Sequence, residues 1–310
     1  METVQRIKTA FERNAKALQL RPALGQKTAV KPERIFMDPK LQRRIQRYGW
    51  DKAAPFYERY WQQQLEPAQA QLLVMAALRR GERVLDVACG TGLVSLRAAA
   101  LVGRDGEVVG TDISEKMIES ARQAAGEKML LQSRFVRMDA ETLTLPANYF
   151  DAALCALGLM YGPNPEIALT QMFQTLKLGG RAVAAVWGRR NHCGWAEIFP
   201  IVEARVESEV CPLFFQLGAG DLLQQTFAQA GFHDVLSQRI STILHYDSAA
   251  ATLGAAFAGG PVALAYSRFN ERQREEAHAE YLSSIASYRR GESYEIPGEF
   301  VIVRGFKTFG

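Results

Sequence analysis

One short stretch of the chain carries residue types and spacings that could do chemistry. The run Asp86-Val-Ala-Cys-Gly-Thr-Gly92 places a carboxylate four residues before a Gly-x-Gly turn. Glycines at such a turn let backbone approach a ligand closely, and the helix that follows offers unpaired N–H groups. Taken alone, Gly90-Thr-Gly92 suits nucleotide ligands in general, or a purely structural turn. Asp86 narrows the choice, since a carboxylate repels a pyrophosphate and favours a ligand bearing a cationic ammonium group. The six-residue dinucleotide fingerprint also fails, because Ser95 stands where its third glycine belongs. Val109-Gly-Thr-Asp112 ends a second strand pattern on another carboxylate, 22 residues after Gly90. There it can accept hydrogen bonds from both hydroxyls of a ribose. The alternative for Asp112 is a helix N-terminal charge beside Ser114. His192 and Tyr161 are the best-placed acid–base candidates, with His245 and His233 weaker. Such residues near strand ends commonly satisfy backbone, so no catalytic base is assigned.

The elements that must position these groups read as alternating strands and helices. Strands are predicted at 83–87, 107–111, 135–138, 150–155 and 181–186, with helices at 93–102, 114–125 and 165–177. Strands separated by helices imply parallel βαβ units and one doubly wound α/β domain. Upstream, an amphipathic helix is expected at 3–18, then an extended linker, then a helical region over 40–79 dense in aromatics. Downstream come a helix at 221–230, a strand at 235–246, helices near 248–258 and 270–289, and a last strand at 299–307.

Composition is that of a globular protein, with 48% hydrophobic and 23% charged residues. Residues 1–60 hold 14 Lys/Arg against 6 Asp/Glu, within a net charge of +4. These cations are spread among Leu, Ala and Gln without interleaved aromatics, which reads as a solvated helical face, and no nucleic-acid partner is expected. Cys89, Cys155, Cys193 and Cys211 form no CxxC pair and no metal-ligand spacing with the four histidines. Reduced core thiols, a cytoplasmic location and no metal are the expectation. No signal peptide and no span of about 20 apolar residues is read.

The ordered set VLDVACGTG, VVGTDIS with Met117, RMDAETL, FDAAL and LKLGG resembles the motifs of class I methyltransferases. Within that class it is most similar to the ubiquinone/menaquinone-type, or "type 11", small-molecule branch, over about residues 48–190. The resemblance implies a Rossmann-like seven-stranded sheet with its last strand antiparallel, N-terminal helices and a substrate-capping insertion. It implies S-adenosyl-L-methionine as cofactor, with Asp86, Gly90 and Gly92 around the methionine moiety and Asp112 on the ribose hydroxyls. Ile113 and Met117 would pack near the adenine, and Asp139, assisted by the Ala140 backbone, would accept from its amino group. Leu157 would touch the cofactor through backbone, and Tyr57 resembles an upstream aromatic that covers the methionine end. Leu178 replaces the family's proline in LKLGG, a change confined to a turn. The implied division is a basic arm and linker at 1–45, the cofactor-binding core at 46–190, and a capping insertion with closing strands at 191–310.

Trp187, Trp195, Phe199, Phe214 and Phe215 follow the fifth strand, so an aromatic-lined pocket for a small, planar or hydrophobic acceptor is expected. RNA or protein methylation is the alternative, against which Gly158-Leu-Met-Tyr161 stands where an N/D-P-P-Y/F tetrad would be. A non-catalytic cofactor-binding scaffold is the other. A homodimer through the N-terminal helices stays open.

Overall fold

The computed structural model describes residues 38–206 and 214–308. The helix expected at 3–18, the linker behind it, any pairing of copies through that helix, and Cys211 lie outside the described residues. The first element, α1 (Pro39–Ala76), starts cleanly because Asp38 accepts from the Lys40 amide and Pro39 occupies the first turn, where an N–H is dispensable. It ends at Ala77, which adopts a left-handed conformation (φ 46°). Its apolar stripe Trp61, Leu65, Ala68, Leu72, Leu73 and Ala76 is buried in the main core.

The alternating region follows as β1 (Arg83–Val87), α2 (Leu93–Val102), β2 (Glu107–Asp112) and α3 (Glu115–Glu127). It continues with β3 (Ser133–Arg137), β4 (Phe150–Ala156), α4 (Pro165–Thr175) and β5 (Leu176–Trp187). β1, β4 and most of β5 are buried along their length, as strands covered on both faces must be. Beyond β5 come α5 (Ile198–Glu203), α6 (Leu222–Gln229), β6 (His233–Tyr246), α7 (Ala249–Leu253), a π-helical turn (Gly254–Ala258) and α8 (Ala263–Tyr266). α9 (Glu271–Ser284), β7 (Arg289–Arg290) and β8 (Ser293–Phe306) close the chain.

The sheet order is β3-β2-β1-β4-β5-β8-β6, parallel from β3 to β5, with β8 antiparallel to both β5 and β6. The expected seven strands become eight because the two-residue β7 pairs with the start of β8. β8 also begins earlier than its apolar pattern suggests, passing through Pro297 and Gly298. Pairing with β5 ends at Phe300, and the Pro297 carbonyl accepts from the Gly194 amide (2.9 Å), so the missing N–H faces that loop and breaks no ladder with β6. The strand order reverses between β1 and β4. In an open α/β sheet that is where a crevice forms beyond the carboxyl ends of the strands.

Candidate functional site

A cleft with about 980 Å³ of empty space, its mouth included, opens at that reversal. Eight of the ten cofactor residues named from sequence line it: Tyr57, Gly90, Asp112, Ile113, Met117, Asp139, Ala140 and Leu157. Asp86 and Gly92 stand behind the wall. Gly92 (φ 91°) begins α2, and a Cβ on it would sit 3.3 Å from the Ala121 Cβ. It therefore lets α2 and α3 pack closely. Gly90 (φ 56°) makes the turn itself.

The carboxylates are wired to this turn. Asp112, at the end of β2, accepts from the Gly90 amide through Oδ2 (2.9 Å) and from the Ser114 amide through Oδ1 (2.9 Å). Asp112 thus both braces the start of α3 and faces the cleft. Burial pushes its carboxyl up to about 6, against the lowering pull of those amides. Asp86 is 1% exposed. Its Oδ2 accepts from Ser95 Oγ (2.5 Å), while its Oδ1 has no hydrogen-bond partner among the described residues. Burial pushes this carboxyl up to about 7, opposed by Ser95 and reinforced by Asp112. A buried carboxylate with an idle oxygen carries a desolvation penalty that a cationic ligand nearby would relieve. The Tyr57 hydroxyl is held well above its ordinary range by burial and by Asp112.

Two non-glycine residues on the cleft wall have positive φ, Ala88 (55°) and Leu157 (63°). Strain of this kind collects where loops must present backbone to a ligand. Cys89 is buried in a small cluster with Leu96, Ile118, Ala121 and Phe135, and burial raises its thiol well above the ordinary value. It is a packing residue rather than a nucleophile.

Away from the carboxylates the wall is aromatic. Trp50 meets Tyr57 (5.7 Å between centroids) and Tyr161 (5.0 Å), and Tyr161 meets Phe214 (5.4 Å). Trp195 continues the chain to Phe214 (5.6 Å), Trp187 (4.8 Å) and Trp61 (6.0 Å). Of the five aromatics expected after β5, Trp187, Trp195 and Phe214 reach the cleft, while Phe199 and Phe215 pack behind Trp195. Gly259, Gly260 and Pro261, following the π-helical turn, complete this end.

Of the acid–base candidates, Tyr161 lines the cleft and His192 does not. His192 pairs through Nδ1 with Glu299 (2.8 Å), which Arg239 also holds (3.0 Å). The backbone of His245 is bracketed by the Gln64 side chain, and His233 is exposed at the start of β6. Sequence reasoning missed Arg43, Gln46, Trp50, Trp61 and the Gly259–Pro261 wall. Only the aromatic density of α1 hinted at any of them. Among the described residues no cluster of His, Cys, Asp or Glu could hold a metal, and no helix is long and apolar enough to cross a membrane.

Residues 84–180 match a family described as a methyltransferase domain. Over this segment the chain is therefore similar to methyltransferase domains. Over 107 residues it is 42% identical to the ubiquinone/menaquinone biosynthesis C-methyltransferase of Yersinia enterocolitica. That match covers 34% of this chain and 43% of the relative, so the chain spans less than half the length of the curated relatives it matches. The fold is shared with the YcgJ protein from Bacillus subtilis (TM-score 0.56, 18% identity, 79% of this chain and 100% of that one). It is also shared with a phosphoethanolamine N-methyltransferase of Haemonchus contortus, solved with S-adenosylhomocysteine and phosphomonomethylethanolamine. There the TM-score is 0.55 and the identity 15%, over 84% of this chain and 58% of the other. The matched segment coincides with the part of the sheet whose loops form the carboxylate end of the cleft.

Proposed function

We propose that this chain transfers a methyl group from S-adenosyl-L-methionine to a small aromatic or hydrophobic metabolite. One observation carries the reading: Asp112 and Asp139, at the ends of β2 and β3, line one cleft with Asp86 of β1 just behind its wall, and the other end of that cleft is lined by aromatic rings. Asp112, already held by the Gly90 and Ser114 amides, keeps lone pairs for the two ribose hydroxyls. The idle Oδ1 of Asp86 favours an ammonium group, Asp139 with the Ala140 backbone takes the adenine edge, and Tyr57 covers the methionine end. Gly90 keeps the turn close, Ile113 and Met117 flank the base, and Leu157 offers backbone. Gly92 supports all of these by seating α2.

The cofactor, when bound, supplies a methyl group on an electron-poor sulfonium. The chain's own contribution is alignment of the acceptor and exclusion of water. No histidine lines the cleft among the described residues. Trp50, Trp61, Trp187, Trp195 and Phe214 present faces and edges suited to a flat, weakly polar acceptor. Within 191–310, Trp195, Phe214 and Gly259–Pro261 act with α1 as the cap over the acceptor, while β6 and β8 close the sheet. The three described cysteines are free thiols, which suits a cytoplasmic enzyme.

The test has two arms. S-adenosylhomocysteine should raise the melting temperature by several degrees, through linkage of roughly 2–4 kcal/mol at saturation. Labelled cofactor incubated with cell extract should then label a small-molecule fraction. Label in RNA or protein would support the alternative acceptors, and ligand binding without any transfer would leave a scaffold.

A further inference from the structure

The cofactor contacts proposed so far make no use of Arg43, the cation on the cleft wall beside the adenine end. Its Nη2 pairs with Oε2 of Glu141, a side chain only 3% exposed. The other Glu141 oxygen accepts from the Asn164 amide (2.9 Å), so the guanidinium is anchored from behind. Arg43 Nε lies 3.0 Å from Oδ2 of Asp139. That contact is Coulombic only: Nε is buried and has no hydrogen-bond partner among the described residues. Asp139 Oδ1 is taken by the Glu141 amide (2.9 Å), while Oδ2 receives no hydrogen bond from any described residue. α1 is held in place further along by Asp51, whose Oδ1 accepts from Ser114 Oγ (2.6 Å) and from the Lys116 amide (3.3 Å). One helix is therefore tied both to the loop after β2 and to the loop after β3.

An idle donor thus stands beside an idle acceptor, both on residues that line the cleft. Adenine presents the complement on its imidazole side, a ring nitrogen that accepts beside an amino group that donates. A single asparagine amide reads this pair in other settings with the same donor–acceptor arrangement. We infer that Arg43 and Asp139 together read that edge, Asp139 Oδ2 accepting from the amino group and Arg43 Nε donating to N7. The inference rests on the cofactor reading above. It makes Arg43 a specificity residue for the base, and it gives α1 a share in cofactor recognition.

Calorimetric titration of the full chain with S-adenosylhomocysteine and with its 7-deaza analogue, where a C–H replaces N7, tests this. The wild type should bind the 7-deaza ligand about tenfold more weakly, the loss expected when a buried donor is left unpaired. Arg43→Met should bind both ligands equally. Because that change strands the buried Glu141 charge, Arg43→Met/Glu141→Gln removes both charges and should fold while also binding both equally. Equal binding of the two ligands by the wild type overturns the inference. So does a folded double variant that keeps the wild-type preference. A wild type that binds neither ligand sinks the cofactor reading first, and this inference with it.

Discussion

At one end of the cleft, Gly90, Asp112 and Asp139 each sit where a strand stops, one βαβ unit from the next. At the other end, Trp61, Trp187, Trp195, Phe214 and Pro261 come from α1, β5, the segment after it and the turn after the π-helix. The first set is polar, hydrogen-bonded to local backbone and placed by sheet geometry. The second is apolar, packed ring on ring, and placed by how α1 and the segments after β5 settle on the sheet. Polar groups in the first region recognise a ligand of defined charge and hydrogen-bond pattern. Rings in the second accept any occupant of suitable shape. The carboxylate end should therefore be intolerant of substitution and the aromatic end open to retuning.

The sharpest way to break that contrast is Asp112→Ala. It would remove the two charge-assisted hydrogen bonds proposed to the ribose and should weaken S-adenosylhomocysteine about 1000-fold, roughly 3–5 kcal/mol, with the thermal shift abolished. An unchanged shift would remove Asp112 from the ribose site. Phe214→Ala should act in the opposite register. Deleting a ring that is 2% exposed should cost about 3 kcal/mol of stability yet leave the affinity for S-adenosylhomocysteine within about twofold. A large loss of affinity there would mean the two ends are one site.

A pH series sharpens the comparison further. Asp86 and Asp112, raised by burial to about 7 and about 6, keep their protons in the folded chain where the unfolded chain has released them. Their contribution to stability is full below the ordinary value of 3.8 and is lost as the pH rises through 6 and 7. Asp86→Asn should therefore make the ligand-free protein more stable than wild type at pH 8, by roughly 2–3 kcal/mol. The advantage should be gone below the ordinary carboxylate value, as read by urea unfolding. Binding of S-adenosylhomocysteine to the wild type should strengthen from pH 5.5 to 8 as Asp86 ionises, with a much flatter profile in the variant. Wild type and variant of equal stability at pH 8 would show that β1 stores no buried charge for the ligand. The smallest effect is expected from Ala88→Gly. Relieving a left-handed alanine should stabilise the chain by about 0.5–1 kcal/mol, measurable as a small rise in melting temperature. No gain would mean that the turn is not strained.

Much of this was legible because it is local. Asp86, Gly90 and Asp112 reveal themselves by type and spacing within a few residues of a strand end, and the βαβ alternation predicts where those ends meet. Asp139, Ala140, Leu157 and Tyr57 came from motif resemblance, and all four line the cleft. Gly92 and Asp86 illustrate the limit of motif reading: both belong to the turn, but one seats a helix and the other lies behind the wall. His192 looked as well placed as Tyr161 by position, yet Glu299 on β8, far along the chain, draws it elsewhere. Arg43 carried no local signal at all, because its partners Asp139 and Glu141 meet it only once α1 lies across the sheet.

What the order of residues determined by itself was the framework: a doubly wound α/β sheet and a carboxylate at the end of each of the first three strands. Those follow from periodicity and from backbone geometry within single loops, which act over a few residues. Only the tertiary structure decided which side chains face one another across the cleft. Packing of α1 brought Arg43 to Asp139 and Asp51 to Ser114, and packing of the segments after β5 joined Trp195 to Phe214 and Trp61. Contacts of that kind depend on where whole elements come to rest, and hydrophobic burial sets that position without leaving a pattern in any one stretch of sequence.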